Sequence, residues 1–179
     1  MIGFKQFTFI CLDFPDHIAE AIRKIRRKVD PVIAWKPVVV TLAGSSGCGH
    51  LSADQDILKT HEVLAEICRK TYSFDAQFSG IGNFKNTDIY FFEFTDETPF
   101  FNLQSRLADS NLKFAENPYP FKPHCTVHFK SNMTTEKLAH ISNIEIPDEP
   151  FTFSQISLIS DYTRMSRFSL SAVTSTTHF

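Results

Sequence analysis

Hydrophobic residues follow two periods along the chain, and these periods predict strands and helices. Phe92 and Phe94 are two residues apart, as are Phe151 and Phe153, and side chains two apart on a strand share a face. Elsewhere apolar residues recur every three or four positions, as in amphipathic helices. The predicted strands are 5–12, 37–42, 74–82, 89–94, 124–129, 151–159 and 166–173. The predicted helices are 15–29, a segment capped by Ser52 with apolar residues at 57–67, 100–111, and a short helix capped by Thr134 or Thr135 that runs to Ile141.

The order of these elements and one sequence echo predict two similar lobes. The segment WKPVVVTL at 35–42 is echoed by FKPHCTVHF at 121–129, so each lobe would contribute one central strand. No linker composition separates the halves. We therefore expect residues 1–179 to form a single two-lobed domain.

Composition and charge narrow the class of protein. The chain has 179 residues, of which 42% are hydrophobic and 21% charged, with a formal net charge of −2. A folded chain of this length buries roughly 70% of its surface, enough for one core, so disorder and a coiled coil are disfavoured. A slightly acidic chain lacks the global positive field of a protein that coats nucleic acid. Any contact with RNA would be local and small.

Cysteine usage and the chain start predict a reduced, cytoplasmic protein that does not enter a membrane, and because no amphipathic excess demands a partner we expect a monomer. The four cysteines, Cys11, Cys48, Cys68 and Cys125, form no CxxC pair. The start MIGFKQFTFI lacks the basic region and the apolar run of a signal peptide. No window approaches the ~20 consecutive apolar residues that a membrane span requires.

One predicted strand carries a pair of residues suited to phosphate chemistry. His124 and Thr126 are two apart, so both would leave one face of the strand while Cys125 leaves the other. An imidazole takes or gives a proton near neutral pH, and a neighbouring hydroxyl can bind a phosphoryl oxygen. The alternative is a surface strand that carries a His and a Thr by chance.

The segment PHCTV at 123–127, preceded by an aromatic residue and a lysine, resembles the second signature of the 2H phosphoesterase superfamily. That group includes bacterial 2'-5' RNA ligase-like proteins and cyclic nucleotide phosphodiesterases. The element order and the closing ISLISDY and FSLSAV segments are also similar to this family. The resemblance implies an α+β fold with two pseudo-symmetric lobes of antiparallel sheet, flanked by helices, around a central cleft.

The resemblance also implies a reaction without cofactor or metal. Each lobe of the family supplies one H-x-T/S motif, with one histidine as base and the other as acid on a 2',3'-cyclic phosphate or 2',5'-phosphodiester. His124 and Thr126 match the second motif, and Thr41 matches the hydroxyl of the first. Val39 stands where the first histidine belongs, and valine exchanges no proton. The implied ligand is a ribonucleotide or RNA-end phosphate, which the chain would either hydrolyse with weakened activity or only bind.

Other residues offer further candidates, each beside a simpler structural explanation. His50, with Ser52, matches H-x-S and is a reserve second acid or base, although the simpler interpretation makes His50 a loop residue and Ser52 a helix cap. Tyr119 and Phe121 could stack on a base, as could Trp35, or could pack in the core. We interpret His128 as a rim or structural residue, because it lies too far along the strand from His124.

One dense basic run occurs in the first predicted helix and has two interpretations. It is most simply a solvated helix face, and otherwise a contact for a phosphate backbone. The run consists of Arg23, Lys24, Arg26, Arg27 and Lys28.

The His61-Glu62 pair lacks the second histidine of a zinc motif, and we expect no metal.

Overall fold

A computed structural model describes residue 4, residues 7–129 and residues 132–173. The first predicted strand, 5–12, is therefore described only from residue 7 onward. The strands are β1 (Thr8–Asp13), β2 (Val39–Ala43), β3 (Phe74–Ala76), β4 (Phe78–Asn83), β5 (Ile89–Phe94), β6 (Cys125–Phe129), β7 (Phe151–Phe153), β8 (Gln155–Ser160) and β9 (Thr163–Ser169). The helices are α1 (Asp16–Val29), α2 (Ile57–Arg69), α3 (Thr98–Ala108) and α4 (Thr135–Ser142), with a 3-10 turn at Pro31–Ile33.

The described strands form three antiparallel sheets, which confirms the predicted α+β class. One sheet has the order β2-β1-β8-β9, a second the order β4-β5-β6, and a third pairs β3 with β7. Strand β1 is buried along most of its length, and its register places Leu12 opposite Val40 and Ile10 opposite Leu158, all fully buried. Strands β2 and β6 are therefore edge strands of two different sheets.

Two predicted strands are each broken into two, and this part of the prediction is wrong. The break in 74–82 falls at Gln77, whose carbonyl accepts from Thr95 N at 3.0 Å while its side-chain amide donates to Asp148 O. The break in 151–159 falls at Ser154, whose carbonyl accepts from Leu170 N. These groups form hydrogen bonds outside the strand pairs, so the two longer strands are interrupted. Strands β3 and β7 form their own small sheet.

Phenylalanines fill the core between the sheets, as their period predicted. The rings of Phe94 and Phe100 have centroids 4.4 Å apart, and Phe153 packs against both. Phe92, Phe100 and Phe153 are fully buried. Aromatic rings in such tilted or edge-on arrangements add packing energy beyond the burial of their area.

Helix caps follow the predicted chemistry at one helix and not at another. The Thr134 hydroxyl caps α4 by accepting from Lys137 N at 3.1 Å. Helix α2 is capped by Asp56, whose carboxylate accepts from the backbone of the first turn. The predicted cap Ser52 is wrong, because its own N–H donates to Lys113 O and holds it in a loop. Among the helices of the described chain, none is long and apolar enough to cross a membrane.

Candidate active-site cleft

A cavity of about 250 Å³ lies where β2 of one sheet faces β6 of another. The four-stranded sheet contributes one wall and the three-stranded sheet the other. Helix α1 packs against β6, and its Arg26 lines the cavity. Residues that line the cavity include Val39, Thr41, His124, Thr126, Lys36 and Tyr162.

Strand β2 presents Val39 and Thr41 to the cleft because the intervening Val40 points into the core, where it is fully buried. The Thr41 hydroxyl lies 3.9 Å from Cys11 Sγ, which donates to it. Burial raises the pKa of the Cys11 thiol to about 12, so this thiol is neutral at physiological pH. The Thr41 O–H is left to donate to a ligand.

The second wall brings His124 and Thr126 to the same cavity. Strand β6 begins at Cys125, so His124 directly precedes the ladder. Cys125 and Val127 are fully buried on the opposite face, which is the alternation that the sequence predicted. The structure thus brings Thr41, His124 and Thr126 together, although β2 and β6 are far apart in the chain.

The hydrogen bond of His124 fixes which ring nitrogen is available. Its Nδ1 lies 2.6 Å from the carbonyl oxygen of Lys122, and a carbonyl only accepts, so Nδ1 carries the hydrogen. The rings of Phe84 and Phe91 pack edge-on against the imidazole at 5.0 and 5.2 Å between centroids. Nε2 therefore keeps its lone pair and can accept a proton.

Burial keeps the His124 ring neutral. Desolvation lowers the pKa of His124 below its ordinary value of 6.5, and the nearby ammonium of Lys122 lowers it further, against the opposing effect of the backbone hydrogen bond. Lys122 is itself held by ion pairs with Glu97 and Glu93. At neutral pH His124 is thus in the form that acts as a base.

Arg26 joins the two walls and corrects one interpretation of the sequence. The residue is 4% exposed, and its Nε donates to Thr126 O at 2.9 Å on β6. Its Nη1 donates to Pro37 O at 3.2 Å and to Lys36 O at 3.3 Å, just before β2. The solvated face predicted for the basic run is therefore wrong at Arg26. The sequence signal for the burial of Arg26 is its position four residues after the buried Ile22, on the same face of α1.

The cleft favours an anion. The side chains of Arg26 and Lys36 bring positive charge to its lining, and no Asp or Glu of the described chain lines it. Hydroxyls of Thr41 and Thr126 face the same space. Within the described residues, no group of three or more His, Cys, Asp or Glu is placed to hold a metal ion.

Three predicted residues lie outside the lining of this cleft. The Nδ1 atom of His50 is 3.0 Å from Leu51 O, and the His50 ring meets Phe9, which lines the cleft, at 6.4 Å between centroids. Tyr119 is exposed, and Phe121 packs edge-on against another ring at 5.2 Å. The acid or base role of His50 and the ligand contacts of Tyr119 and Phe121 stay predictions that this geometry does not support.

The other aromatic and histidine candidates occupy different places. His128 is fully buried, with Nδ1 2.6 Å from Asp88 O, which agrees with a structural role. Trp35 is exposed and lies outside the lining of the cleft, edge-on to Tyr162 at 5.2 Å. Sequence reasoning missed Lys36 and Tyr162, both of which line the cleft.

Comparisons with known proteins give one family from the sequence and one fold from solved structures. The sequence profile of the 2'-5' RNA ligase superfamily matches residues 14–164. Protein TT0787 of Thermus thermophilus superimposes with a TM-score of 0.63 at 18% identity, over 94% of this chain and 100% of that chain. E. coli LigT complexed with 3'-AMP gives a TM-score of 0.59 at 20% identity, over 93% and 98%. No curated protein matches the sequence.

Proposed function

The chain belongs to the 2'-5' RNA ligase superfamily, within the 2H phosphoesterases, and from that premise we propose that it hydrolyses a phosphodiester of a ribonucleotide or RNA end. The bond is a 2',3'-cyclic phosphate or a 2',5'-phosphodiester. One observation carries the proposal: hydroxyls from two separate sheets and one neutral imidazole converge on a single positively charged cleft. Such a set of groups suits a tetrahedral anion.

Each group has a role that its contacts support. Nε2 of His124 takes the proton from the attacking water, because the other nitrogen is occupied by Lys122 O. The hydroxyls of Thr41 and Thr126 donate to nonbridging phosphate oxygens. The guanidinium of Arg26 supplies charge from behind the strands and holds their spacing. Preorganised donors of this kind stabilise charge that develops on phosphoryl oxygens.

Val39 favours a second candidate, a module that binds a nucleotide or an RNA end without cleaving it. The side chain of Val39 lines the cleft, at the position where the resemblance places the first histidine. A general acid or base contributes about 10²–10⁴ in rate, so its loss could leave binding without turnover. Calorimetric titration with 2'- and 3'-nucleotides, followed by product analysis after long incubation, separates the two candidates.

Three further parts of the proposal concern the setting of the protein. We place it in the cytoplasm, which suits its four free cysteines, because disulfides are rare there. We propose that it acts as a monomer, and that its reaction uses no metal. Chelator treatment that abolished turnover would contradict the last point.

The test replaces His124, with a matched control elsewhere. His124→Ala should lower turnover of a nucleoside 2',3'-cyclic phosphate by at least about 10²-fold, while circular dichroism stays unchanged. His17→Ala, on the exposed face of α1, should have no effect. Unchanged turnover in His124→Ala would refute the assignment. Turnover absent from the wild type, together with nucleotide binding, would favour the binding module.

A further inference from the structure

The proposed reaction lacks one participant, a proton donor for the leaving oxygen. His124 presents an unprotonated Nε2, and its pKa is lowered by burial, so it starts the reaction as a base. The ribose or nucleoside oxygen that leaves phosphorus is a poor leaving group unless it is protonated. Val39 cannot supply that proton. The cleft must therefore supply it from another side chain if turnover is to be efficient.

Few of the titratable side chains in the described lining can supply the proton. Burial raises the pKa of the Cys11 thiol to about 12, and its hydrogen bond already goes to Thr41. Arg26 is engaged with backbone carbonyls and is effectively always protonated. Lys36 and Tyr162 remain, and they contact each other.

The hydrogen bond between Lys36 and Tyr162 leaves the phenol of Tyr162 as the proton donor. Nζ of Lys36 donates to the Tyr162 hydroxyl oxygen at 3.1 Å. A phenol oxygen that accepts one hydrogen bond still has its own hydrogen to donate. The ammonium also lies 4.4 Å from the centroid of the Tyr162 ring and 5.7 Å from that of Phe129, on β6. Lys36, just before β2, therefore contacts both Tyr162 and β6.

The backbone at Tyr162 is a second, independent observation. Asp161 and Tyr162 form the two-residue turn between β8 and β9, and both have positive φ, 47° and 59°. Such turns favour Asn and Gly, and a bulky residue in this conformation costs of order 1–3 kcal/mol. Trp35 packs edge-on against the ring at 5.2 Å. Tyr162 thus has a backbone conformation that costs free energy, and its side chain lines the cleft.

We infer that Tyr162 is the general acid of this cleft and that Lys36 is its positioning residue, an inference that rests on the proposed phosphodiester hydrolysis. Water attacks phosphorus and gives its proton to Nε2 of His124. The bond from phosphorus to the leaving oxygen breaks, and its electron pair stays on that oxygen. The oxygen takes the Tyr162 O–H proton, and the phenolate regains one through Lys36 from solvent water. The His124 imidazolium returns its proton to solvent.

The test compares two substrates that differ only in the leaving group. One is a 2',5'-linked dinucleotide, and the other is the same nucleoside with a 2'-(4-nitrophenyl phosphate) group. The nitrophenolate leaves without protonation, so loss of a general acid affects it little. Tyr162→Phe should lower kcat on the dinucleotide by about 10²-fold or more and leave kcat on the nitrophenyl ester within a few-fold. Lys36→Met should show the same pattern more weakly.

The controls separate this inference from the proposed function. Tyr72→Phe, exposed and outside the cleft, should change neither substrate. Equal losses on both substrates in Tyr162→Phe would overturn the acid role and leave the proposed function standing. A wild type that cleaves neither of these substrates nor a nucleoside 2',3'-cyclic phosphate overturns both. Tyr162→Gly should fold at least as stably as the wild type, because glycine relieves the positive φ, and it should show the same substrate split.

Discussion

Replacing Arg26 should weaken both the fold and the cleft. Arg26→Met keeps the length and apolar stem of the side chain, but it removes every donor that reaches the carbonyls of Pro37 and Thr126. The contacts with the Lys36 carbonyl at 3.3 Å and with Cys125 Sγ at 3.9 Å are lost as well. These oxygens lie in a partly buried space where water can replace the guanidinium only incompletely.

The magnitude follows from the contacts. A hydrogen bond to a charged group contributes about 1.5–3 kcal/mol, and a neutral substitution also removes the cost of burying the charge. For three shared bonds we expect a net loss of about 3–5 kcal/mol in the free energy of unfolding. This is a large part of the roughly 5–15 kcal/mol that stabilises a typical domain. The melting temperature should fall by roughly 6–20 °C.

Urea unfolding followed by circular dichroism measures this loss, and Arg27→Met is the matched control. Arg27 is the next residue on α1, and it pairs with Glu20 on the exposed surface, so its replacement should change stability little. Arg26→Met should also raise KM for the phosphodiester, because the backbone of Thr126 on β6 loses its hydrogen bond to the guanidinium. Equal midpoints for the two variants would refute the role of Arg26 as the link between the walls.

Two further predictions concern position 39 and pH. In a Tyr162→Phe background, Val39→His should recover about 10-fold or more of the lost kcat on the 2',5'-dinucleotide, because a second imidazole can donate the proton; no recovery would mean that position 39 cannot reach the leaving oxygen. The folded state holds the pKa of His124 below its ordinary value of 6.5, so the ring stays neutral. Protonation of the ring therefore costs more free energy in the folded state than in the unfolded state. The free energy of unfolding falls as the pH drops below 6.5 toward the lower, folded-state pKa. Unfolding free energies between about pH 4 and 8 should show a decline at the acid end that is smaller in His124→Phe, and equal declines would contradict it.

The convergence of Thr41, His124 and Thr126 could be predicted from sequence because local alternation fixes the face of each side chain and the family resemblance implies a shared cleft. Both walls of the cleft follow from the period of two in residues 39–41 and 124–126. The resemblance to the 2H phosphoesterases then implies that the two strands face each other across a shared cleft. The structure places all three side chains in one cavity.

Arg26 and Tyr162 could not be assigned from sequence because their environments come from distant segments. Arg26 belongs to a run of cations that would be solvated on most helices, and only the carbonyls of two remote segments explain its burial. Tyr162 lies in a hairpin turn, and its partner Lys36 is 126 residues away in the chain. The split at Gln77 has the same origin, because its bonds go to segments beyond its own strand.

The position of β2 and β6 at the borders of separate sheets decides what can fit between them. Paired strands lie only about 4.8 Å apart, with their amides and carbonyls committed to each other. A tetrahedral oxyanion has no room in such a spacing. Side-chain packing and one guanidinium set this gap instead of a ladder, so its width can match the molecule that enters it.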